Sequence, residues 1–398
     1  MLVEKELSNL NYIIVELITA FGKMFLNPLI YWIIFISFLI SKRRTKDEQI
    51  QFNRELFPIG AEYYQTGKIM IISSILISAI TFFLNTTFVN EIIIFLSIII
   101  FVLSFAFGFK LLSAAYSLGF TFLLFKVLEL YNNDLFSSGQ ITSHTFSSIA
   151  LLIGLFLFVE VALYKVITNE NAFPEILKSK RGSWFGMHHI QKATFLPFLV
   201  FIPGKITIAS LPIVPYFTLG SENISFMFIP FVLGFHHIVK GELPELVLNK
   251  LRYYNFLLAG LVVIGALISF YLPGVAIGAV LLAIIGKVYI NGLIDKEDSE
   301  KEMKFVALNN QLCIFAIAPK SPADLLGLKV GDTITKVNNK EVHSFADLEE
   351  ELASLIVFPS FEVMTKNHEV RQIENTSYKG NLSELGIIFP LINHDENK

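Results

Sequence analysis

Two adjacent histidine pairs, His188-His189 and His236-His237, are the residues whose type first invites chemistry. Neutral imidazoles hold zinc. A zinc hydrolase needs two of them one helical turn apart with a glutamate beside the first, so that both rings bind the ion and the carboxylate takes a proton from its water. The chain continues Ile190-Gln191-Lys192 after the first pair and Ile238-Val239-Lys240 after the second, so neither pair has a histidine at i+4 or an adjacent glutamate. Neighbouring residues on a helix also project about 100° apart, which keeps a pair from sharing one ion. The only cysteine, Cys313, rules out a disulfide framework and a Cys-based zinc site. No catalytic residue, metal site or cofactor is expected, and the histidines read as imidazoles at the headgroup level of a membrane.

Charges inside apolar runs are the second kind of candidate. Glu160 and Lys165 fall in the run 147–167, and Lys205 follows Pro203-Gly204 within the run 194–217. A charge in hydrocarbon is expensive unless paired, and a broken helix can line a substrate path, so each such residue is a functional hypothesis. Lys165 can snorkel to the surface, which leaves Glu160 and Lys205 as the unusual pair. A transporter would use them, yet no inverted repeat is visible and the carboxyl-terminal sequence would have no role in one.

The elements that position these residues follow from composition. The residues after Asn291 hold 11 basic and 18 acidic groups, net −7, whereas residues 1–291 hold 20 basic and 16 acidic, net +4. A mean hydropathy of +0.61 despite that charged tail, with 39 phenylalanines, puts the first part in a bilayer. Its start contains Glu4, Lys5 and Glu6 and reads as no secretory signal. Nine apolar runs lie near 27–40, 69–84, 89–108, 111–130, 147–167, 194–217, 225–238, 256–272 and 275–291, giving about eight to nine helical spans. Ahead of the first, Leu10, Ile13, Ile14, Leu17, Ile18 and Phe21 recur at helical spacing, as either a surface helix or the start of a tilted first span. Alternate loops carry the cations: Lys42, Arg43, Arg44, Lys46, Arg54 and Lys68, then Lys110, then Lys178, Lys180, Arg181 and Lys192, then Lys240, Lys250 and Arg252. The loops between them carry none, so the basic loops and the carboxyl terminus face the cytoplasm.

Residues 292–398 form a second, soluble domain. Leu312 to Ile317 reads as a strand, Ser321-Pro322-Ala323 opens a short helix ended by Gly327, and Val330-Gly331-Asp332 turns into the strand Thr333 to Val337. Ser344 and Asp347 form a capping box ahead of Phe345, Leu348 and Leu352. Phe361–Met364 and Val370–Ile373 look like a closing hairpin. The run Ser321-Pro322-Ala323-Asp324-Leu325-Leu326-Gly327-Leu328 followed by Val330-Gly331-Asp332 resembles a PDZ domain, an α+β module whose second helix and an opposing strand edge take an extended peptide as an added strand. The candidate groove residues are Leu312, Ile314, Phe345, Leu348, Leu352, Leu385, Gly386 and Ile387. Leu385-Gly386-Ile387-Ile388 is either the carboxylate-binding loop of a permuted arrangement or a last strand that completes the sheet.

The stretch Ser179-Lys180-Arg181-Gly182-Ser183-Trp184-Phe185-Gly186-Met187-His188, with Pro197, Pro203-Gly204 and the ending Glu384-Leu385-Gly386-Ile387-Ile388-Phe389, resembles the MinJ family of Gram-positive rods. The resemblance implies a polytopic α-helical membrane protein with one cytoplasmic PDZ domain, located at the division septum and poles. It further implies a non-enzymatic adaptor in division-site selection, linking a DivIVA-like scaffold to the MinCD inhibitor of FtsZ assembly through MinD and contacting other divisome components. Nucleic acid has no place in that role, and self-association is left open. Lys180, Arg181, Gly182 and His188 of that stretch, together with the intramembrane charges Glu160 and Lys205, are the candidate functional residues of the membrane domain, residues 1–291. The alternative is a membrane-embedded regulatory or protease-like protein whose PDZ domain senses peptide ends. As an adaptor, the chain is expected to have separable halves.

Overall fold

The computed structural model describes residues 14–131, 143–179, 182–206, 224–306, 312–353, 359–365, 369–374 and 385–390. Eight helices form the body: α1 (Ile14–Met24), α2 (Pro28–Phe52), α3 (Gly67–Phe83), α4 (Asn90–Phe107), α5 (Ala114–Tyr131), α6 (Ser143–Leu163), α7 (Pro244–Ser269) and α8 (Val275–Ser299). By length and composition four of these segments could cross a membrane: α4, Ser143–Val166 (α6 and the turn after it), α7 and α8. The α1–α2 pair, bent by 46° at its break, makes up to five. Asn27 sits in that break and caps α2, its Oδ1 accepting from Leu29 N–H at 2.9 Å with Pro28 next in line. Outward residues such as Phe105, Ile264 and Ile285 leave apolar faces on α4, α7 and α8, as lipid contact requires.

Two of the nine apolar runs are not helices, which corrects the expected eight to nine helical spans. Strand β1 (Phe173–Lys178) leads into β2 (Trp184–Ile206), and β2 pairs antiparallel with β3 (Ile224–Val239) from His188↔Val239 to Pro203↔Ile224. The runs at 194–217 and 225–238 are therefore the two arms of one hairpin, as far as they are described. A continuous apolar run buried on both faces has no alternation to mark it as a strand, so periodicity cannot separate it from a helix. Its prolines could have done so. Pro197 and Pro230 would each break a helix interior, and here they lie directly opposite each other in the ladder. The Pro203-Gly204 break is a register irregularity between Pro203 and Ile206.

The hairpin is enclosed by helices. Phe156 of α6 packs on Phe231 and Phe198 with ring centroids 4.3 and 5.3 Å apart, inside a core shared by α4 to α8 and both strands. A strand in such surroundings must still pair its outer backbone groups. The neighbours supply partners: Leu199 N–H donates to Ser78 Oγ (3.0 Å), Thr81 Oγ1–H to Leu199 O (2.5 Å), and Phe201 exchanges bonds with Thr86 O and Phe88 N–H at 3.0 and 2.8 Å.

The carboxyl-terminal domain follows α8, which continues to Ser299. It comprises β4 (Phe305–Val306), β5 (Ala316–Ile317), α9 (Pro322–Leu325), β6 (Thr333–Val337), β7 (Lys340–Glu341), α10 (Phe345–Ala353), β8 (Ser360–Met364), β9 (Val370–Glu374) and β10 (Ile387–Ile388). One sheet has the order β7-β6-β8-β9 and a second pairs β5 with β10. Phe305 on β4 instead pairs with Gly186 on β2, so the connection is stitched to the hairpin. The domain core includes Leu312, Ile314, Phe315, Ile334, Leu348, Phe361 and Leu385. It is continuous with Leu56, Phe57, Phe173, Ile176 and Leu243 of the helical body. The two halves thus share one core: residues of the segment 53–66, of strand β1 and Leu243 at the start of α7 pack against the domain.

Candidate functional site

Strand β10 and helix α10 frame the place where a peptide could add. Antiparallel pairing sets Ile387 opposite Ile317 and Ile388 opposite Ala316. Phe315 N–H donates to Ile388 O and Ala318 N–H to Gly386 O, both at 2.9 Å. These bonds occupy one edge of β10, and among the described residues no other strand pairs with it. Gly386 has φ +90°, and a Cβ there would lie 2.3 Å from Ser321 Cβ. Only glycine tolerates both the left-handed backbone and that approach. Ser321 in turn caps α9. The Leu385-Gly386-Ile387-Ile388 segment is thus a tight bend followed by a strand beside β5.

Helix α10 starts at the capping box as the sequence indicates: Asp347 N–H donates to Ser344 Oγ at 3.1 Å and Ser344 N–H to Asp347 Oδ2 at 3.0 Å. The Ser344 hydroxyl and the local N–H groups hold the Asp347 carboxyl below its ordinary value. Phe345, first on this helix, meets Phe389 edge-to-face with centroids 6.0 Å apart, which brings α10 alongside β10. Leu312, Ile314, Leu348, Leu352, Leu385, Gly386 and Ile387 are buried and build the walls and floor of this region. Phe345 is the half-buried one, at the rim. Gly386→Ala should strain the bend and lower the thermal midpoint of the purified protein by several degrees, while Gly182→Ala, with open space around it, should cost only the strain of its own turn.

The membrane-domain candidates separate into unrelated settings. Gly182, at φ +90°, lies in the exposed turn that joins β1 to β2, where its N–H donates to Ser179 O at 2.9 Å. Lys180 and Arg181 lie outside the described residues, as does the side chain of Lys205. Glu160 is paired with a lysine of α8. Its Oε1 accepts from Lys287 Nζ and from Tyr164 Oη (2.5 Å), and its Oε2 from Ser113 Oγ (2.7 Å). Lys287 also donates to Asn255 Oδ1 at 2.7 Å and Tyr164 Oη at 3.0 Å. Every group in the cluster is buried, and it joins α5, α6, α7 and α8 at one point. Sequence reasoning passed over Lys287 in the run 275–291; the signal was a lone cation in an otherwise uncharged run.

The histidines stand on strands, so adjacent ones face opposite ways rather than about 100° apart. His188 points into the seat of the carboxyl-terminal domain, 1% exposed, with Nε2 3.0 Å from Phe315 O. Burial pushes its pKa down to about 4 against the bond to Phe315, which raises it. His189 faces away, between Glu175 on Nε2 and His236 Nε2 at 2.8 Å from Nδ1. Among the described residues no group of three His, Cys, Asp or Glu side chains is placed to hold a metal ion.

Comparison with known proteins agrees with this division. A PDZ domain profile matches residues 314–355. The chain is 27% identical over 379 residues to the cell division topological determinant MinJ of Bacillus subtilis (strain 168), covering 94% of this chain and 95% of that one. It is 18% identical over 256 residues to a "Probable cell division topological determinant MinJ" of Lacticaseibacillus paracasei, covering 64% and 68% of the two chains. The likeness to the MinJ family therefore extends along nearly the whole chain, and the domain seated on its helical body is a PDZ domain.

Proposed function

We propose that this protein is a topological determinant of cell division, a non-enzymatic adaptor that holds a PDZ groove at the inner face of the membrane. What carries the reading is the union, in one chain similar to MinJ throughout, of outward apolar helices with a PDZ domain whose β10 edge lies open beside α10 among the described residues. Such an edge gives affinity through main-chain bonds, and the rim residue Phe345 adds side-chain selection. On this reading Leu385, Gly386 and Ile387 offer the backbone N–H groups that take a peptide carboxylate. The partners that fit are division proteins, a DivIVA-like polar scaffold on one side and MinD on the other.

Orientation rests on the basic loops. The basic segments at 42–68, 178–192 and 240–252, which include the end of α2, the β1–β2 turn and the first turns of α7, adjoin the residues that pack against the PDZ domain. Alkaline phosphatase fused after Lys398 should be inactive, and activity there would reverse the orientation. A fluorescent fusion at native expression should collect at septa and poles of dividing cells. A uniform envelope signal would reject the adaptor.

A further inference from the structure

Phe315 ties together two strands that belong to different halves of the molecule. Its N–H donates to Ile388 O at 2.9 Å, on the strand that borders the groove. Its C=O accepts from His188 Nε2 at 3.0 Å, on the long strand that runs from the PDZ seat into the helical body. Its ring lies flat on Gly186, where a Cβ would come within 2.4 Å of Cε2, and packs on His188 and Phe305 with centroids 4.7 and 5.2 Å away. The contact also contains its own weakness. A carbonyl only accepts, so His188 Nε2 carries the proton and Nδ1 is a bare acceptor. That Nδ1 is buried and has no hydrogen-bond partner. An unmet buried acceptor opposes the very contact that buries it.

We propose that the Phe315–His188 contact couples the PDZ groove to the membrane half, making the seating of the domain a two-state device. In the seated state the hairpin fixes β5 through Phe315, and β5 fixes β10. In the released state His188 Nδ1 regains water, the ring leaves Gly186, and β10 loses the support of an ordered β5. Two sites that bias one equilibrium are linked reciprocally. A tail that orders β10 favours seating, and a displacement of the hairpin changes affinity at the groove. That last consequence rests on the groove reading given above, whereas the coupling itself does not.

Hydrogen exchange of the full chain in nanodiscs, with no peptide added, tests the coupling. In His188→Ala the amides of Phe315 and Ala318, which donate to Ile388 O and Gly386 O beside β10, should exchange about tenfold faster, the size of effect expected for one lost buried hydrogen bond. Amides of β6, β8 and α6 should keep their wild-type rates. His188→Gln, whose side-chain amide can donate to the same carbonyl, should restore slow exchange. Maleimide labelling of Cys313, the single thiol and two residues from Phe315, should accelerate in His188→Ala and in Gly186→Ala, which drives a methyl into the Phe315 ring. Unchanged exchange at Ala318 in His188→Ala overturns the coupling, and so does equal acceleration across the helices, which is global loosening. Either result leaves the groove reading standing. That reading fails separately, if cells carrying Phe345→Ala place their septa normally.

Discussion

Lys287→Met should leave little folded protein in the membrane. The substitution keeps an unbranched side chain of similar length but strips Glu160 of its cation, with Tyr164 and Ser113 left, among the described residues, as donors to a buried carboxylate. Removing one member of a buried ion pair typically costs about 3–5 kcal/mol, because the other charge stays desolvated. That is a large share of the stability of an ordinary domain. Pairing it with Glu160→Gln should recover most of the loss, since the amide oxygen still accepts from Tyr164, the amide NH2 can donate to the Ser113 hydroxyl, and no charge remains. The measurement is yield after detergent extraction and the thermal midpoint of the wild type, both single variants and the double variant. A double variant as poor as Lys287→Met would mean that shape, not charge, holds α5 to α8 together.

The ion pair also shows where sequence was sufficient and where it fell short. Local signals with a stereochemical cause were legible: the Ser344–Asp347 box, the Ser321 cap and the Gly331 turn stand as their residue types require. Pairing over 127 residues, as between Glu160 and Lys287, is set by how helices pack and leaves no local trace. The hairpin is the larger miss. Aromatic and aliphatic residues at every position from Phe195 to Ile202 except Pro197 satisfy a buried strand and a buried helix equally, and Pro197 opposite Pro230 was the discriminating mark. Groove residues were read as a surface, yet all but Phe345 are buried, because the same positions that border a peptide also close the domain core.

The seat of the PDZ domain gives the second large effect. Gly331 adopts φ +91°, and a Cβ there would stand 3.0 Å from Leu243 Cδ2, at the start of α7. Gly331→Val therefore meets two obstacles. Holding a β-branched residue in the left-handed region costs on the order of 1–3 kcal/mol, and the branch also pushes Leu243 out of the core that both halves share. The expected result is misplaced septa or filaments at normal protein level, with faster proteolysis of the PDZ domain. Leu243→Ala on the Gly331→Val background separates the causes, since it opens space and leaves the backbone strain: partial recovery of protease resistance assigns that part to the contact. Deleting residues 300–398 should be more severe for the membrane half than a tethered-module scheme predicts. Phe57, Phe173, Ile176 and Leu243 would lose their cover, and the truncated protein should extract with a lowered thermal midpoint. An unaltered midpoint together with normal septum placement would show that the seat is dispensable and that the division contacts lie in the helical body.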